Sequence, residues 1–104
     1  MSISFKLTSV ATKTHFDLFY RLKQLGFDVW PEVKFSNRLR ADLVVFKKNE
    51  IVCVIEAKGN RSKGLNGKSK QAKKYRELPY PVTYCCGIQD IDRVVELIID
   101  LVSR

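Results

Sequence analysis

Residues 40–58 read RADLVVFKKNEIVCVIEAK, and no other stretch limits the fold as tightly. LVVF and IVCVI are apolar, β-branched runs too short for helices, and the polar KKNE between them is turn material. The segment therefore reads as a β-hairpin. IVCVI has no polar alternation, so it is expected to be a central strand covered on both faces. That in turn calls for helices on both sides of a sheet.

The flanks supply those helices. From about Thr14 to Leu25 the pattern is helical, with Leu18, Phe19, Leu22 and Leu25 in one stripe and Gly26 as the stop. FDVWPEVKF follows as a period-two strand, with Val29, Val33 and Phe35 on one face and Trp30, Glu32 and Lys34 on the other. Pro31 cannot donate to a ladder, which puts that strand at a sheet edge. GNRSKGLNGKSK reads as a loop, Ser69 to Leu78 as a short helix and PVTYCC as a fourth strand. Ile91, Val94, Val95, Ile98, Leu101 and Val102 then mark a C-terminal helix whose face is core, with Asp90 as its N-cap and Asp92 suited to its first turn. The expected class is α/β, a single domain over 1–104 with a central mixed sheet flanked by helices.

Three cysteines, two of them adjacent and one inside an apolar run, do not make a disulfide framework or a paired zinc motif. Reduced, buried thiols in an intracellular protein, cytoplasmic or nucleoid-associated, are the expectation. MSISFKLTSV lacks the apolar core of a secretion signal, and no run reaches about 18 apolar residues, so no membrane span is expected.

The hairpin carries the chemistry. Charge is rare inside strands, yet Asp42 heads one apolar strand, and Glu56 and Lys58 end the next. Glu56 and Lys58 are two apart, so they leave one face of the sheet. A three-residue loop, Lys48-Asn49-Glu50, pairs Lys47 with Ile51 and puts Asp42 opposite Glu56, with Cβ atoms roughly 5 Å apart. A two-residue loop puts Asp42 opposite Ile55 instead. The three-residue loop is preferred, although the residues do not force it. Two carboxylates that close must share a proton or a cation. Mg²⁺ suits them, since it takes one or two carboxylates plus water and phosphate. The plain alternative is a structural ion pair, Glu56 with Lys58 or Asp42 with Arg40.

Arg-Ala-Asp42-Leu-Val-Val, a turn, and Val-Ile-Glu56-Ala-Lys58 together resemble the PD-(D/E)xK nuclease superfamily. The element order helix, three strands, helix, strand is similar to that family's restriction-endonuclease-like αβββαβ core. The resemblance implies a metal-dependent DNA endonuclease using Mg²⁺, with Mn²⁺ able to substitute. Asp42 and Glu56 would be metal ligands, joined by the Ala57 carbonyl, and Lys58 the catalytic lysine. Ala41 stands where the motif has proline. The first helix lacks the glutamate that several members keep, and Glu32 is the candidate to replace it. Gln71 and Tyr75, at i and i+4 of the next helix, match a Q-x-x-x-Y pattern of RecB-like members. Gln71 would support the lysine or a phosphate, and Tyr75 would contact DNA.

The formal net charge is +8, and it is clustered. Residues 57–76 hold eight Lys or Arg and no acid: Lys58, Arg61, Lys63, Lys68, Lys70, Lys73, Lys74 and Arg76. A phosphate backbone attracts such a patch through counterion release, and Arg38 and Arg40 between the first two strands extend it. Such contacts position a strand without reading sequence. A homodimer with two sites would cut two strands, either at branched DNA, as in Holliday-junction resolvases, or as a site-specific homing or restriction enzyme. A basic protein that grips nucleic acid without cutting, on a relic nuclease fold, is the rival.

Overall fold

A computed structural model describes residues 10–58 and 70–104. Helix α1 (Val10–Gln24) leads into strands β1 (Asp28–Lys34), β2 (Arg40–Lys47) and β3 (Glu50–Lys58). Helix α2 (Lys70–Arg76), strand β4 (Val82–Cys86), a 3₁₀ turn (Ile88–Asp90) and helix α3 (Ile91–Ser103) complete the order. The strands form one sheet in the order β1-β2-β3-β4. The first three are antiparallel, and β4 runs parallel to β3. The chain is thus α/β, with a four-stranded mixed sheet and a C-terminal helix.

Two apolar clusters cover the two faces. On one, Leu43, Val45, Cys53, Ile55 and Cys85 of the sheet pack against Leu18 and Leu22 of α1 and Ile91, Val94, Val95 and Ile98 of α3. On the other, Val44 and Val54 pack with Leu39, Ala41 and Tyr75 of α2. IVCVI is indeed an interior strand, because its side chains feed both clusters.

Helix α1 ends where Gly26 was expected to stop it. Gly26 takes φ +92, its N–H donates to the Lys23 carbonyl at 3.0 Å, and the Phe27 N–H donates to Leu22 at 3.1 Å. This pair of bonds satisfies the last carbonyls and returns Phe27 to the core beside Leu22. Leu25, expected in the buried stripe, is 52% exposed because it falls after the last helical turn.

Strand β1 departs from simple alternation. Val29 packs with α1 and α3, whereas Val33 and Phe35 pack in the cluster with Tyr75. The break lies between them, at Glu32, whose φ of +52 is left-handed. Pro31 precedes it and contributes no ladder donor. The expected sharing of one face by Val29, Val33 and Phe35 therefore fails.

Asp90 sits at the N-cap position of α3, but its side chain makes no capping bond. It is buried and reaches back instead, accepting the Cys86 N–H at 2.9 Å and a two-pronged contact from Arg93 at 2.7 and 2.9 Å. Arg93 also donates to the Tyr84 carbonyl at 2.7 Å. This buried carboxylate ties the end of β4 to α3. All three cysteines are free and buried, so no disulfide forms. Among the described residues, no helix is long and apolar enough to cross a membrane.

Candidate active site

The hairpin brings Asp42 and Glu56 together by a route other than the expected one. The turn has two residues, not three: Lys47 pairs with Glu50, and both Lys48 and Asn49 have positive φ, 53° and 66°. That is the backbone of a type I′ turn, which matches strand twist. By itself it would have offset Asp42 from Glu56. However, the register shifts between Val45 and Phe46, leaving Val52 without a partner, and from Val45↔Cys53 onward the sum of paired numbers matches that of a three-residue loop. Leu43 pairs with Ile55, so one step further Asp42 lies across from Glu56. The bulge restores what the turn took away.

The two acids sit in unlike settings. Glu56 is 4% exposed, next to Lys58, whose Nζ lies 3.4 Å from Glu56 Oε2. Burial pushes the Glu56 carboxyl above the usual range; Lys58 draws it back down and Asp42 pushes it up again. Asp42 is half-buried, and its Oδ2 accepts the Ala57 N–H at 2.8 Å, which anchors it to β3. Among the described residues, no group of three His, Cys, Asp or Glu side chains is placed to hold a metal. Glu32 therefore does not join the pair. The β1–β2 register sets Glu32 across from Asp42, but the residue takes a left-handed φ of +52 and stays exposed on the edge strand.

Tyr75 was expected at a DNA surface, but it is 1% exposed. The cause is α2, which packs its buried stripe, Ala72 and Tyr75, toward the sheet. The Tyr75 ring meets Tyr84 edge-on, with centroids 5.9 Å apart and planes at 64°. Its hydroxyl is close enough to the Glu56 carboxylate and the Asp42 backbone to influence both, but neither contact reaches good hydrogen-bond geometry. Burial, then the two carboxylates, push its ionisation upward, so it stays a neutral donor. Tyr84 is shifted the same way, by burial and then by Glu56.

Gln71 is exposed, and with Arg38, Leu39, Arg40 and Lys74 it lines an open groove of about 290 Å³. Lys73 is exposed on the same helix. Arg61, Lys63 and Lys68 lie outside the described residues, and of Lys70 only its place at the start of α2 is described. Sequence reasoning passed over Asn37. Its Oδ1 accepts the Leu39 N–H at 3.1 Å, and its Nδ2 donates to the Lys74 carbonyl at 3.1 Å and Glu77 Oε1 at 3.3 Å. It thereby clamps the β1–β2 connection to α2. The Ser-Asn pair in a turn was the available signal.

Compared with known proteins, the chain matches no family model, no curated protein and no solved structure.

Proposed function

We propose that this chain is a Mg²⁺-dependent DNA endonuclease with a PD-(D/E)xK-type, restriction-endonuclease-like fold. The observation that carries this reading is the meeting of Asp42 and Glu56 across the β2–β3 ladder, with Lys58 on the same face. The donor set fits magnesium: two carboxylates supply hard oxygens, and a shared cation would favour the ionised Glu56 carboxylate that burial, and to a smaller degree Asp42, disfavours. Asp42 and Glu56 would hold the ion, with the Ala57 carbonyl beside them. Once bound, it would polarise a phosphoryl oxygen as a Lewis acid and lower the pKa of a bound water.

The chain's own groups do the rest. The Ala57 N–H holds Asp42 in place, so the pair needs little rearrangement. Lys58 is partly exposed and carries a compact positive charge; on release from Glu56 it can face a phosphate oxygen or orient the attacking water. Branched DNA is the preferred substrate, since the sequence carries no helix-turn-helix or zinc-finger motif to read bases. A homodimer with two such sites would cut both strands.

The second reading is a DNA-binding protein that does not cut. What favours it is that Glu56 is already neutralised by Lys58, and that no third acid completes a metal cluster among the described residues. A cleavage panel separates the two. Linear, flapped and four-way DNA are incubated with Mg²⁺ or Mn²⁺, using wild type and Asp42→Asn. The endonuclease reading expects nicking by wild type, a loss of at least about 100-fold in the variant, and retained binding. Wild type that binds every substrate and nicks none would support the second reading.

A further inference from the structure

The groove between the β1–β2 connection and α2 has a composition that the catalytic pair does not require. Arg38, Arg40 and Lys74 line it with the Gln71 amide and the buried Leu39, and no acid is among its lining residues. Across the ladder, Lys34 pairs with Arg40. Like charges directly opposed in a sheet are a local cost, and an anion held against Arg40, the member of the pair that lines the groove, reduces it. None of these four cations has an ion-pair partner among the described residues. The walls are held, because Asn37 joins the connection to α2 through the Lys74 carbonyl and Glu77. Arg40 and Asp42 are two residues apart on β2, so their Cα atoms are roughly 6.6 Å apart, a step comparable to neighbouring phosphates on one strand.

We propose that this groove seats a single backbone phosphate of a nucleic-acid strand, on the side of the Asp42–Glu56 pair where β2 begins. The inference rests on reading that pair as a nucleic-acid site, but not on cleavage. Arg38 and Arg40 offer planar, forked donors, Lys74 a point charge, and Gln71 a neutral amide donor. One seat shared by three cations makes a quantitative claim. Deleting the three together removes one phosphate contact, not three.

The test measures binding of a short fluorescein-labelled DNA duplex to the full chain in EDTA, by anisotropy, across a salt series. Wild type is compared with the triple variant Arg38→Ala, Arg40→Ala, Lys74→Ala, and with a control triple at exposed cations elsewhere, Lys13→Ala, Lys23→Ala, Lys48→Ala. Thermal melting verifies that each variant folds. The expected result is that the slope of log affinity against log salt falls by about 0.9 in the groove triple, the value for one phosphate, and by less in the control. A fall of about three phosphates' worth, no fall, or an equal fall in the control overturns the seat. Cleavage by wild type without a groove-specific slope change would reject the seat and spare the endonuclease. A groove-specific change with no cleavage on any substrate would do the reverse.

Discussion

Tyr75 and the cysteines show how burial changes what a side chain can be asked to do. In the sequence Tyr75 is one residue of a basic, polar helix, and nothing local says which way it points. In the fold it lies under the sheet with a hydroxyl that has no partner among the described residues. A buried hydroxyl without a bond costs about 1–3 kcal/mol, so Tyr75→Phe is expected to be at least as stable as wild type in urea unfolding. A loss above about 1 kcal/mol would mean that the hydroxyl is bonded. Burial also raises the Cys53 and Cys85 thiols from 9.0 to about 12. The folded chain keeps protons that the unfolded chain releases above about pH 9, so their contribution to stability is whole below that pH and is lost as pH climbs toward 12. The double variant Cys53→Ala, Cys85→Ala should therefore lose less stability than wild type between those limits. At about pH 8 neither thiol of the native chain should react with a thiol reagent, since the thiolate is the reactive form.

The β2–β3 hairpin is the element on which the site depends. Its register was anticipated with the wrong turn, because two irregularities cancel: a two-residue turn shortens one arm and the unpaired Val52 lengthens it. Val52 and Cys53 both pack toward the α1–α3 cluster, while Ile51 and Val54 pack toward Tyr75. Deleting Val52 should therefore leave the alternation and the Val45↔Cys53 pairing intact. Cross-strand NMR contacts between Val44 and Val54 are expected to persist in that variant; their replacement by a slipped set would show that the bulge itself sets the register. At the turn, Asn49 holds a left-handed conformation that glycine adopts without penalty. Asn49→Gly is expected to raise stability by up to about 1 kcal/mol, read as a higher urea midpoint. The turn lies at the opposite end of the hairpin from Asp42, so binding and any cleavage should not change.

Across the whole molecule, the sheet separates a large core under α1 and α3 from a smaller one under α2. Leu22→Ala, at a fully buried position in the larger cluster, should cost about 2–5 kcal/mol, whereas breaking the exposed Arg21–Asp92 pair by Asp92→Ala should cost about 1 kcal/mol or less. Urea unfolding of both variants tests that ranking. Much of this architecture could be read from residue order. Hydrophobic period identifies α1, α3 and the strands, Gly26 marks a helix end, and the unbroken apolar run of β3 marks a central strand, because these signals depend on neighbours within a few positions. The same short-range logic located Asp42, Glu56 and Lys58. It could not foresee the reversal at Glu32, the compensating bulge at Val52, the burial of Tyr75 or the Asn37 clamp. Each of those depends on which surfaces meet across the sheet, and packing between distant segments, not spacing along the chain, decides where such side chains come to rest.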